Sequence, residues 1–209
     1  MYCGGSQVMI VIVTGGIGSG KSQVCRMLEE MYGFPVYEAD RKAKELYVRY
    51  PELLSSIEKE LDCRIRNEEG AFQPSLLAGR IFGDEKAIAV VESLLFPYLI
   101  SDFKEFAESS GNIIIFESAT VLAKPQFDGF ADKVVLVDAP YELRISRACE
   151  RDGISKESVM ARMSAQPFPP FAEVDEAKID EIILNDGSLD ELKAAVKGLA
   201  ERLSGADIK

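Results

Sequence analysis

A chain of 209 residues has room for one α/β domain carrying an inserted substructure, with a full hydrophobic core. Its formal charge of −11 argues against a general nucleic-acid surface, which needs a basic face, while 47% hydrophobic and 28% charged residues describe an ordinary globular protein. There is no histidine, so proton handling must fall to carboxylates. The four cysteines, Cys3, Cys25, Cys63 and Cys149, are scattered with no C-x-x-C pair and read as reduced thiols of a cytoplasmic protein. No apolar run approaches the roughly 20 residues of a membrane span, so no membrane partner is expected.

Residues 1–8 read as a short leader. The apolar, β-branched run of residues 9–14 predicts a buried strand, and it runs directly into Gly15, Gly16, Ile17, Gly18, Ser19, Gly20, Lys21 and Ser22. That segment satisfies G-x-x-x-x-G-K-[ST], a phosphate-binding loop, in the strand-to-helix context the motif requires. Glycines let backbone amides turn onto phosphate oxygens, Lys21 reaches the β- and γ-phosphates, and the Ser22 hydroxyl is a ligand for Mg²⁺. Helical spacing follows over residues 22–32 with Gly33 as the stop, then a short strand at 35–38 that delivers Asp40 at its carboxyl end. Strand, loop, helix and strand in so few residues are a βαβ unit of a parallel sheet, whose ligand chemistry gathers at carboxyl strand ends.

Residues 41–110 are helical in pattern, with breaks at Pro51, at 67–70, at Gly83 and Asp84, and at Pro97. The stretch exceeds an ordinary crossover connection and predicts an inserted helical subdomain. Residues 112–117 and 133–137 read as buried strands ending beside Glu117 and Asp138, and Pro140 opens a helix to Glu150. Arg144, Arg147 and Arg151 share a face of that helix. A short helix through Met163 and the breakers Pro167, Pro169 and Pro170 then predict a lid over about 151–176. A last strand at 178–184, a turn at Asn185, Asp186 and Gly187, and an amphipathic helix at 189–203 close the chain.

Phosphoryl transfer needs positioned phosphates, a metal, charge neutralisation and an oriented nucleophile. Lys21 and Ser22 meet the first needs, and Asp40 is the candidate general base. Glu38 and Glu117 are candidates to help hold Mg²⁺ through water, and Arg147, Arg151 and Arg162 to neutralise phosphate charge. No N-K-x-D segment supports a regulatory GTPase. The alternatives are another small-molecule or nucleotide kinase, or a nucleotide-binding homologue with weakened catalysis.

From about Met9 to Leu203 the chain resembles the dephospho-coenzyme A kinase family, in its loop from Thr14 to Ser22, in Glu38, Ala39 and Asp40, in Arg147 with 151–155, in 161–166 and in 183–187. The resemblance implies a P-loop kinase: a five-stranded parallel sheet flanked by helices, formed by 9–40 and 111–209, with 41–110 as a helical substrate-binding insert and a lid. It implies transfer of the ATP γ-phosphate to the ribose 3′-hydroxyl of dephospho-coenzyme A, dependent on Mg²⁺, by a monomer or weak homo-oligomer. Gly18, Ser19, Gly20, Lys21, Ser22 and Gln23 fall on the family's ATP-binding run, Arg147 on a nucleotide-contacting arginine, Asn185 near its adenine pocket and Asp40 on its base, while Gly16 of the loop and Arg151 of the arginine-bearing face are read as further ATP-binding residues. Three departures stand out: Glu38 replaces the usual aspartate, Lys44 and Phe96 stand where histidines are usual, and the lid end is acidic, which weakens charge neutralisation there.

Overall fold

The computed structural model describes residues 8–121, 124, 127–165 and 178–206. The chain divides into two compact units, Met1–Glu38 with Ser110–Lys209, and Ala39–Ser109.

The first unit is built on five parallel strands, β1 (Met9–Thr14), β2 (Val36–Glu38), β3 (Ile113–Glu117), β4 (Lys133–Asp138) and β5 (Glu181–Leu184), in the order β2-β3-β1-β4-β5. β1 lies at the centre, with Val13 opposite Glu117 on one side and Val135 on the other. Burial on both faces explains why the central strands read as unbroken apolar runs. On one face Val11 and Val13 of β1, Ile113 and Ile115 of β3, and Val135 and Val137 of β4 meet the apolar sides of α1 (Lys21–Tyr32) and α8 (Leu189–Ala206). α8 contributes Leu192, Val196, Leu199 and Leu203, the stripe its periodicity predicts. On the other, Tyr37 stacks on Phe116 at 5.5 Å between centroids, and Phe127 and Phe130 meet Phe116 and each other.

α6 (Tyr141–Asp152) follows β4 and is stopped by Gly153 at φ 64°, where a residue with a side chain would be strained. It holds α7 (Lys156–Ala165) through a small core of Ile145, Ala148 and Val159 that also takes in Ile17 of the loop. The last strand begins at Glu181 rather than 178, because Asp180 already spends its amide on the Val134 carbonyl and its carboxylate on the Val134 amide. The leader up to residue 7 and the predicted lid end at 166–176 lie outside the described residues.

The second unit contains α2 (Ala39–Arg49), α3 (Pro51–Leu61), α4 (Pro74–Ile81) and α5 (Glu85–Glu108) around Leu53, Ile57, Leu61, Ile65, Leu77 and Val91. Pro51 is at the first position of α3, where its missing N–H costs nothing. Asp84 caps α5 by accepting from the Ala87 amide at 2.9 Å. The break expected at Pro97 is absent: α5 runs through it. Pro97 is exposed, so water can satisfy the carbonyl its ring leaves unpaired, while Val91, Leu99 and Phe103 anchor the helix on either side. Among the described residues no helix is long and apolar enough to cross a membrane.

Candidate active site

β1 ends in Thr14, and the loop turns on glycines at positive φ, 77° at Gly18 and 96° at Gly20. These two positions need glycine for space as well as for conformation. A Cβ on Gly18 would overlap the backbone carbonyl of Arg144, and one on Gly20 would overlap the side-chain amide of Asn185. Gly18→Ala is accordingly expected to destabilise the fold by at least about 1–2 kcal/mol, the cost of a left-handed non-glycine residue alone. Urea unfolding measures it, and an unchanged midpoint would show that the loop and α6 separate freely.

Gly20 caps α1 without a side-chain hydrogen bond, and the first turn of α1 holds no acidic residue. The helix therefore begins with amide donors and a positive dipole end that no side chain of its own cancels. Two buried hydroxyls among the described residues, Thr14 Oγ1 and Ser19 Oγ, lack hydrogen-bond partners, and both belong to this strand-loop junction.

Opposite the helix start stands Glu117, the last residue of β3 and 8% exposed. The Ser22 hydroxyl donates to its Oε1 at 2.7 Å, and Lys21 Nζ lies 3.3 Å from the same oxygen. The parallel register places Glu38 at the end of β2 beside Glu117. Oxygen donors of this kind suit a hard cation such as Mg²⁺, which ordinarily takes one or two protein ligands with phosphates and water completing its shell. Among the described residues no cluster of three or more His, Cys, Asp or Glu side chains is arranged to hold a metal ion alone. Cys25, on the inner face of α1, is no nucleophile: burial pushes its thiol well up, and Glu117 adds to the shift.

Arg144 is absent from the contacts expected for the loop, yet its Nε donates to the Ile17 carbonyl at 2.9 Å. Its partner carboxylate, Asp138, is 3.8 Å away, and burial lowers its pKa while Asp138 opposes the shift. Arg147 donates to the Asn185 carbonyl at 2.9 Å and reaches its Oδ1 at 3.4 Å. Asn185 Nδ2 in turn donates to the Ser19 carbonyl at 2.9 Å. The only sequence signal for Arg144 is its place on the same helical face as Arg147, one turn nearer β4.

Arg151 leaves that line. Its guanidinium is held by Asp152, at 2.7 Å from Nε to Oδ1, and Arg162 of α7 takes the other carboxylate oxygen at 2.6 Å. The two guanidiniums, Arg151 first, hold the Asp152 carboxyl well below the usual carboxylate range. Gln23 closes the loop's last turn through its amide, which donates to the Gly20 carbonyl at 2.9 Å. Asp40 belongs to the second unit. The strand ends at Glu38 and Asp40 is an exposed residue in the first turn of α2, not in a connecting turn, a position where a carboxylate is favoured by the helix dipole. Lys44 of the same helix is exposed, and Phe96 lies in α5.

A five-stranded parallel sheet with a phosphate loop after its central strand, a lysine and serine opening the next helix, and a carboxylate facing them from the neighbouring strand define a P-loop kinase. Solved structures share the architecture: shikimate kinase from Acinetobacter baumannii aligns over 98% of this chain and 97% of its own with a TM-score of 0.53 at 14% identity, a likeness of fold alone. The family model for dephospho-CoA kinase matches residues 9–191, and the chain belongs to that family. The dephospho-CoA kinase of Chlorobaculum tepidum is 36% identical over 203 residues, 93% of this chain and 95% of the relative. That of Idiomarina loihiensis is 30% identical over 95% of this chain and 96% of its own length. TT1252 from Thermus thermophilus superposes with a TM-score of 0.77 at 28% identity, covering 94% of this chain and 98% of its own.

Proposed function

We propose that this kinase transfers the γ-phosphate of ATP to the ribose 3′-hydroxyl of dephospho-coenzyme A, the last step of coenzyme A synthesis. The observation that carries the reading is the convergence of Lys21 and Ser22 on Glu117 at the mouth of the glycine loop, in a chain that belongs to the dephospho-CoA kinase family. The loop amides and the dipole end of α1 bind the polyphosphate, and Lys21 exchanges part of its attraction to Glu117 for the β- and γ-phosphates. Ser22 and Glu117, with Glu38 beside them, are the residues that would hold Mg²⁺, which supplies Lewis-acid neutralisation of the phosphates when bound. Asp40 accepts the proton of the attacking hydroxyl, and Arg147, Arg151 and Arg162 add positive charge around the transferred group. In this reading the insert of 41–110 binds the acceptor and 151–176 forms the lid, in a cytoplasmic enzyme that is monomeric or weakly self-associating.

ADP release measured with dephospho-coenzyme A, adenosine and a nucleoside monophosphate as acceptors tests the assignment. The expected result is a kcat/KM for dephospho-coenzyme A at least about 10²-fold above the others, the discrimination a site built to bind the acceptor's polar groups achieves. Equal rates for all three would overturn the substrate, and a preference for the monophosphate would make this a nucleotide kinase. Chelation with EDTA is expected to abolish turnover and excess Mg²⁺ to restore it; turnover unaffected by the chelator would remove the metal from the mechanism.

A further inference from the structure

A phosphate loop binds anions because its amides point inward, which obliges the carbonyls of the same peptides to point outward and find donors elsewhere. Some of those carbonyls are satisfied locally: Gly16 O accepts from the Ser19 amide at 3.1 Å, and Gly20 O from the amides of Gln23 and Val24 at 2.9 and 3.1 Å. The carbonyls of Ile17 and Ser19 are satisfied from far away in the chain, by Arg144 Nε and Asn185 Nδ2, both at 2.9 Å. Asn185 is 7% exposed and is itself fixed at three points. Its amide donates to the Asp138 carbonyl at 2.7 Å, and Arg147 binds both its carbonyl and its Oδ1. Its side chain is thereby directed through Nδ2 at the loop and through Oδ1 at Arg147.

We propose that Asn185 and Arg144 are positioning residues of the phosphate loop. They pin its Ser19 and Ile17 carbonyls outward so that the adjoining amides stay aimed at the polyphosphate before nucleotide arrives. This role is distinct from contact with the adenine base, and it joins the end of β5 and the start of α6 in one brace. Gly18 and Gly20 belong to the same device, because only an absent Cβ lets Arg144 and Asn185 approach so closely. The inference rests on the loop being the nucleotide site and is independent of which acceptor is used.

The two roles separate by probe. A residue that reads adenine affects ADP and leaves inorganic tripolyphosphate alone, whereas a residue that shapes the loop affects both by the same factor. Dissociation constants for ADP and for tripolyphosphate are to be measured by calorimetry on the parent, Asn185→Asp, Asn185→Leu and Arg144→Lys. All three variants are expected to weaken both probes together by about tenfold, the scale of a lost buried hydrogen bond in a constrained site. The KM for the acceptor and the ratio of ATP to GTP use should stay within about twofold of the parent.

Asn185→Asp keeps the shape of the side chain and its pairing with Arg147 but sets an acceptor against the Ser19 carbonyl and adds a charge. The urea midpoint of every variant is therefore measured beside its affinities to separate loop geometry from unfolding. Asn185→Leu removes the donor without adding charge, and Arg144→Lys keeps the charge without the planar fork. Loss of ADP binding with tripolyphosphate unchanged, or weakening only in the charged Asn185→Asp, would overturn the proposal. Full affinity in Arg144→Lys would overturn the part assigned to Arg144. A parent protein that binds both probes yet transfers nothing to dephospho-coenzyme A would defeat the functional reading and leave this one standing.

Discussion

Asp40→Asn is expected to lower kcat with dephospho-coenzyme A by roughly 10²- to 10⁴-fold, the usual worth of a positioned general base. The chain has no histidine, and Asp40 is the carboxylate proposed to take the proton of the attacking hydroxyl. Asp40 follows the carboxyl end of β2 by two residues and is exposed at the start of α2. Asparagine keeps the size and one oxygen acceptor but cannot hold the proton. Because the loop, Lys21 and Ser22 are untouched, the KM for ATP should be unchanged. Substitution of an exposed residue costs the fold at most a fraction of about 1 kcal/mol through the helix dipole. Steady-state kinetics with a thermal melt as control decides it: a kcat within a factor of three of the parent, with an intact fold, would place the base elsewhere.

Lys21→Met is expected to reduce kcat/KM by about 10²- to 10³-fold, the effect of removing one preorganised donor from a developing negative charge. Methionine retains most of the aliphatic stem and deletes the cation. In the structure that cation is 3.3 Å from Glu117, a carboxylate that also accepts from the Ser22 hydroxyl at 2.7 Å. Its loss therefore has two consequences. The polyphosphate loses a direct partner, and Glu117 faces the incoming phosphates without compensation, so ADP affinity should fall in parallel with turnover. Stability should fall by about 1–3 kcal/mol, because a largely buried acceptor loses one of its partners. Adding Glu117→Gln to Lys21→Met is expected to restore the urea midpoint but not the activity, since the first effect concerns the buried charge and the second the phosphates. Recovery of both would reduce Lys21 to a structural counter-ion.

Part of this site is legible in the amino-acid sequence because its information is local. The run from Met9 to Thr14, the glycines and the Lys21-Ser22 pair occupy consecutive positions, and their conformations follow from steric rules that act within a few residues: glycine at positive φ, an uncapped helix start, an apolar strand covered on both faces. The closing stripe of α8 and the stop at Gly153 follow in the same way from periodicity and chirality. Local rules also err locally. Pro97 reads as a break, but the cost of one lost helical hydrogen bond on an exposed face is less than what α5 gains from the apolar residues on both sides of it.

The order of the residues alone predicts that a phosphate-bearing ligand meets a lysine and a serine at the end of the first strand, and that the remaining strands are buried and parallel. Which side chains stand around that ligand is a property of the folded chain. Glu117 meets Ser22 across 95 residues, Arg144 meets Ile17 across 127, and Asn185 meets Ser19 across 166. Those encounters depend on the order in which the strands line up, with β3 and β4 flanking β1 and β5 beyond β4, and on their register to within one residue. A one-residue slip in a strand turns its side chains to the opposite face, so a pattern of polar and apolar letters names the faces without naming the partners. Strand order is set by the burial of whole surfaces, and for that reason the outward carbonyls of the loop find their donors only once the sheet has assembled.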